Sequence, residues 1–211
     1  MTVGKYLAVM KTALVFSIMM FILCGLAYPL AVTGISQILF PSQANGSLVY
    51  VDGKAVGSKI VGQEFSDSRF VKSRPSAVNY NVYTQADKDS ESYTGVASGS
   101  KNYAPTNPEL AKRVQNDVAE FLVAHPTVNK GEIPADLLTA SGSGLDPHIS
   151  PQSAAVQVPT LMQTTGLSED KLANIIANNT NGKLIGIFGE PTVNVLGVNL
   201  DIAKAINSSK K

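Results

Sequence analysis

The chain has 211 residues, a net charge of +1 from 17 basic and 16 acidic side chains, and one cysteine. So balanced a charge offers no basic surface for nucleic acid. A lone cysteine, Cys24, excludes a disulfide framework, so packing alone must hold any exported domain.

Between Lys11 and Asp52 no charged residue occurs, and Ala13 to Leu30 is almost wholly apolar. About 20 apolar residues in a helix cross a hydrocarbon core. Lipid demands that the backbone satisfy its own hydrogen bonds, so a helix is predicted here. The boundaries expected are 1–11 for a cytoplasmic N-terminus, 12–34 for the transmembrane helix and 35–211 for the soluble domain. Tyr28 and Pro29 come late in the span, where an aromatic ring at headgroup level and a tolerated kink are expected. Lys5 and Lys11 precede the span, and the positive-inside rule then leaves the domain outside the cytoplasm. The competing reading is a cleaved signal peptide with Gly25-Leu26-Ala27 as its small-x-small site. Apolar character continuing through Ala31-Val32 and Ile38-Leu39-Phe40 favours a retained anchor. Bulky Leu23 before Cys24 argues against a lipoprotein signal.

Residues 41–47 read as a turn-rich exit. Residues 48–51 and 54–61 are predicted strands joined by the hairpin signal Asp52-Gly53. Residues 79–106 are polar and read as a long loop, a length that is uncommon unless the loop has a task. Asn107-Pro108 caps and starts a helix, with Leu110, Val114, Val118, Phe121 and Leu122 at helical spacing until His125-Pro126. Ser150-Pro151 opens a second helix, which Pro159 is expected to kink. Ser168 caps a third, with Glu169 and Asp170 at its positive end, ending at Gly182. Residues 184–188 and 193–200 are predicted as final strands around Gly189-Glu190-Pro191, with a short tail helix from Asp201. Strands, then helices, then strands indicate an α+β domain behind one membrane helix.

Residues 140–151 concentrate Ser141, Ser143, Asp146, His148 and Ser150. A hydrolase triad is one reading, but three groups crowded on one loop do not build the geometry that a fold supplies. The spacing also departs from a nucleophile elbow. A metal site is a second reading, yet only His125 and His148 are available and no ligand spacing signals one. The third reading is a shaped surface, with Gly142 and Gly144 permitting positive φ and Asp146-Pro147 favouring a turn. No catalytic residue and no metal ligand is assigned. Arg74 reads as an ion pair or packing stem. Asn45-Gly46-Ser47, Asn178-Asn179-Thr180 and Asn207-Ser208-Ser209 fit the glycosylation pattern, a short and frequent one.

Several phrases together resemble one family, the C subunit of the Kdp potassium-transporting ATPase (KdpC). They are Gly25-Leu26-Ala27-Tyr28-Pro29 with Thr33-Gly34, Asn45-Gly46-Ser47-Leu48-Val49, Val56-Gly57-Ser58 with Gly62-Gln63 and Phe65, and Arg74-Pro75-Ser76-Ala77. Pro105-Thr106-Asn107-Pro108, the run at 139–151, and Gly189-Glu190-Pro191 with Val193-Asn194-Val195-Leu196 and Asn199-Leu200 complete the set. The stretches 85–94 and 99–103 depart from the family pattern, as does Thr192. The resemblance implies a non-catalytic accessory subunit in the cell membrane, its domain on the outer face. It would stabilise a complex of a potassium-translocating subunit and a P-type ATPase subunit. It would have no cofactor of its own and meet ATP only through the ATPase, whose ATP affinity it is described as raising. Expected interface residues are Tyr28, Pro29 and Thr33 in the membrane, and Ser141, Ser143, Asp146, His148 and Ser150 at the outer mouth of the potassium-translocating subunit. The alternative from another class is a free-standing, membrane-anchored binding or sensor domain.

Overall fold

The computed structural model describes residues 3–90 and 95–209, with the side chain of Ser209 outside the description. Part of the variable stretch 85–94 therefore lies outside the described residues, as does the side chain that ends the Asn207-Ser208-Ser209 pattern. The chain divides into two compact units, Met1–Leu48 and Val49–Lys211.

The first unit is dominated by one helix, Val3–Leu39, long and apolar enough to cross a membrane. It extends beyond the predicted 12–34 at both ends, so Lys5 and Lys11 lie on the helix itself. It comprises α1 (Val3–Met20), a π-helical stretch (Phe21–Ala27) and α2 (Tyr28–Leu39). The π turn is closed by Tyr28 N–H donating to Leu23 O. Pro29 has no N–H to give, and the ladder widens in the turn before it. The short α3 (Pro41–Ala44) follows.

In the second unit, β1 (Leu48–Val51) and β2 (Lys54–Ser58) form the hairpin predicted at Asp52-Gly53. Both turn residues have positive φ, +49° and +75°, as a two-residue hairpin turn of the primed type requires. The return strand stops at Ser58, short of the predicted Val61. Among its described residues, the polar stretch 79–106 carries only a 3₁₀ turn (Asn79–Asn81) and α4 (Gln85–Lys88), capped reciprocally by Thr84 and Asp87.

α5 (Pro108–Ala124) starts where Asn107 Oδ1 accepts from Glu109 N. Val118, Val128, Ile133 and Leu137 form a small core beneath it, with Phe121 and Leu122. β3 (His148–Ile149) leads into α6 (Pro151–Ala155), capped by Ser150. The kink expected at Pro159 is a full break. α7 (Val158–Thr165) starts anew with the proline in its first turn, where a missing N–H costs nothing. α8 (Glu169–Asn178) is capped by Ser168 and stops before the predicted Gly182. β4 (Thr180–Asn181), β5 (Thr192–Asn194) and α9 (Val195–Ser209) complete the fold.

Two predicted strands are corrected. Residues 184–188 close a tight turn with one bridge, Leu184 to Phe188. Residues 195–200 are helical, because Val195, Val198 and Ile202 are all buried at a spacing of three and four. Asn194 caps this helix by accepting from Gly197 N, a signal hidden inside an apparent strand. The sheet order is β3-β5-β4, antiparallel, with His148 opposite Asn194 and Ile149 opposite Val193. Its inner face joins Leu161, Leu172, Val198 and Ile202 in the main core. The α+β class is thus observed.

The extended segment at Val71 and Lys72 crosses this core without a sheet. Two buried amides take the place of a partner strand. Asn199 Oδ1 accepts from Val71 N at 2.8 Å and its Nδ2 donates to Val71 O at 3.0 Å. Gln157 Oε1 accepts from Lys72 N at 2.8 Å. Buried backbone groups must find partners, and side chains supply them here.

Candidate functional site

The residues at 140–151 form the connection into β3, and their backbone is gripped from three directions. Gly62 N donates to Leu145 O at 2.8 Å, Gly99 N to Ser143 O at 2.7 Å, and Val195 N to Pro147 O at 3.0 Å. Ser76 Oγ donates to Gly144 O at 2.6 Å. Gly144 has φ +67°, and a Cβ there would stand 2.8 Å from Gly99 O. At Gly62 a Cβ would stand 2.5 Å from Asp146 O. Both glycines are thus required by close approach of backbone.

Asp146 is the hub of the loop. Its Oδ2 accepts from Arg74 Nη1 at 3.0 Å and its Oδ1 from His148 N at 3.0 Å. Arg74 also reaches Thr139 O, and its own carbonyl accepts from the Tyr80 hydroxyl at 2.7 Å. Burial pushes the Tyr80 hydroxyl above its ordinary pKa, so it stays a donor at neutral pH. The His148 ring lies 3.7 Å from Asp146 Oδ1 and 3.5 Å from Asn194 Nδ2, both loose contacts.

Ser150 belongs to a different network. Its hydroxyl caps α6 through Ser153 N and donates to Asp136, which also accepts from Ser150 N and Ser153 Oγ. Burial acts to raise the Asp136 pKa, but these donors outweigh it and hold the carboxyl below its usual range. Asp136 was not picked out from sequence, since nothing in Pro134-Ala135-Asp136-Leu137 marks it. Its role depends on serines 14 and 17 positions away.

Asp146, His148 and Ser150 line one groove of about 510 Å³ with Arg74, Asp136 and Glu190. Ser141 and Ser143 are not in it. Ser141 is buried and Ser143 Oγ accepts from Leu145 N within the loop. Among the described residues no hydroxyl is hydrogen-bonded to the His148 ring. Ser150 is committed to Asp136, so the arrangement does not assemble a nucleophile with a base. Among the described residues no group of three or more His, Cys, Asp and Glu could hold a metal ion. His125, the other histidine, is buried, stacks on Phe121 and bonds Thr160 Oγ1 through Nδ1 at 2.8 Å. Tyr28, Pro29 and Thr33 sit exposed on α2 in the first unit. The arrangement at 140–151 is a stiff, charged, well-anchored surface.

A family described as "KdpC: K+-transporting ATPase, c chain" matches residues 10–204. A protein of Clostridium kluyveri named potassium-transporting ATPase KdpC subunit is 64% identical over 95% of this chain and 96% of its own length. Its namesake in Clostridioides difficile is 54% identical over 93% of this chain and 97% of its own. A third, from Caldanaerobacter subterraneus subsp. tengcongensis, is 43% identical over 95% and 97%.

Proposed function

This chain belongs to the KdpC family, and from that premise we propose that it is a non-catalytic accessory subunit of an ATP-driven potassium uptake pump. It holds together a potassium-translocating subunit and a P-type ATPase subunit in the cell membrane. Residues 12–34 cross the bilayer, residues 1–11 are cytoplasmic and the domain from 35 onward lies outside. ATP is bound by the partner ATPase. This chain has no P-loop, and any gain in ATP affinity passes through its membrane helix rather than through direct contact. Tyr28, Pro29 and Thr33 meet the potassium-translocating subunit within the membrane, since small and polar residues suit helix–helix contact in lipid. The groove flanked by Arg74, Asp146 and His148 meets the outer face of that subunit.

One observation carries the reading of the loop. Every strong hydrogen bond of Asp146 and Ser150 is spent on holding shape, which suits a recognition surface and not a catalytic centre. The test is His148→Ala, which removes a half-buried ring from the groove and leaves the Arg74–Asp146 hydrogen bond and the bond from His148 N to Asp146 in place. The expected result is weakened co-purification with the partner subunits and reduced potassium-stimulated ATP hydrolysis, at unchanged stability. Normal assembly and hydrolysis would remove this groove from the interface.

A further inference from the structure

Pro29 leaves the Cys24 carbonyl of the long helix without a partner in its own chain. The two amides that a helix could bring to that carbonyl are those four and five positions on. The first, Tyr28 N–H, donates to Leu23 O instead, and the second belongs to Pro29, which has no N–H. Ala27, three positions on, lies in the π-helical stretch Phe21–Ala27, where amides bond five residues back. Among the described residues no side chain donates to this carbonyl either. The next Ser or Thr hydroxyl toward which it points, Thr33, is nine positions on, about 13 Å along the axis.

The depth of this carbonyl decides what can pair with it. Lys11, the last charge before it, and Gln37, the first carboxamide after it, each stand 13 positions away, about 20 Å of helix. Half a hydrocarbon core is about 15 Å. In a spanning helix the carbonyl therefore lies near mid-core, out of water's reach. An unpaired carbonyl there is costly, and proline is tolerated in such helices where a neighbouring helix supplies the missing donor. Ala27 and Ala31, on the C-terminal side to which helical carbonyls point, add little bulk against an approaching helix. By family the chain is one chain of a transporter with others beside it.

We propose that the Cys24 carbonyl accepts a hydrogen bond, inside the membrane, from a hydroxyl or carboxamide side chain on a helix of the potassium-translocating subunit. Pro29 serves that contact by withholding an amide, beyond any packing of its ring. The cysteine thiol takes no part. The proposal rests on the subunit reading above, and its test separates the two.

The chain has a single cysteine, so growth on carbonyl-¹³C cysteine labels this carbonyl and no other in it. The labelled full-length chain is reconstituted into bilayers alone and with unlabelled partner subunits, and solid-state NMR follows the resonance. The expected result is a downfield shift on assembly, and none in Pro29→Ala, whose restored amide lets the helix serve the carbonyl itself. Pro29→Ala is also expected to hold the partners about threefold more weakly, the worth of one hydrogen bond between membrane helices. Assembly with an unmoved wild-type resonance overturns the proposal and leaves the subunit reading standing. Failure to assemble with either partner overturns both. A resonance already downfield in the chain alone assigns the donor to a second copy or to solvent and overturns the proposal. A shift on assembly that persists in Pro29→Ala also overturns it, since the missing amide would not be its cause.

Discussion

Asn199 is 3% exposed and Val71 is fully buried, so the pair of hydrogen bonds between them is made out of water's reach. Asn199→Ala leaves the N–H and the C=O of Val71 both unpaired in the core. Each orphaned group costs about 1–3 kcal/mol, so the substitution is expected to cost about 2–6 kcal/mol. That is a large share of the roughly 5–15 kcal/mol that a domain has in total. Asn199→Asp keeps the acceptor for Val71 N but sets a carboxylate oxygen against Val71 O, and is expected to be at least as damaging. The assay is guanidinium unfolding of the full chain in mild detergent, followed by near-UV circular dichroism of its tyrosines. Amide exchange at Val71 is the local readout. The midpoint should fall with an unchanged slope, and the Val71 amide should lose protection beyond the global loss. A cost under about 0.5 kcal/mol, the range of neutral surface changes, would refute the claim that this amide stands in for a missing strand.

Gly62→Ala pushes a methyl to 2.5 Å from Asp146 O and 2.7 Å from Tyr80 Cε1; overpacking against backbone is expected to cost about 1–3 kcal/mol, read as a lower unfolding midpoint. Asp136→Ala strips the acceptor from Ser150 N, Ser150 Oγ and Ser153 Oγ, and thermal unfolding should report a loss of about 2–4 kcal/mol. Burial, with Lys72 adding to it, lowers the His125 pKa in the folded chain. The unfolded imidazole, near 6.5, therefore takes the proton first. Its contribution to stability is full above that value and is lost as pH falls through it toward the folded pKa. The wild type should weaken from pH 7 to 5 more than His125→Phe does, and parallel pH curves would refute this.

What the sequence made legible was local chemistry. Asn107-Pro108, Ser150-Pro151 and Ser168 each cap a helix where expected, because a cap is written within three or four residues. Asp52-Gly53 gave its hairpin for the same reason. The misreading at 195–200 came from Val195 and Val198, whose β-branching suits a continuation of the strand that ends at Asn194. Burial along one helical face overrode that propensity. The clamp of Val71 by Asn199 spans 128 positions and that of Lys72 by Gln157 spans 85, and no local pattern announces either. At the candidate surface, the sequence grouped Ser141, Ser143, Asp146, His148 and Ser150, of which the last three line one groove and the first two do not. It could not show that Arg74 anchors Asp146 while Asp136 anchors Ser150.

The central claim is that this chain works as part of a pump. The most direct measurement is a mild-detergent pull-down of the tagged full-length chain from its native membrane, with identification of what comes with it. The account predicts a large multi-span protein and a P-type ATPase, with potassium-stimulated ATP hydrolysis in the eluate. Recovery of the chain alone, intact and monomeric, would contradict it.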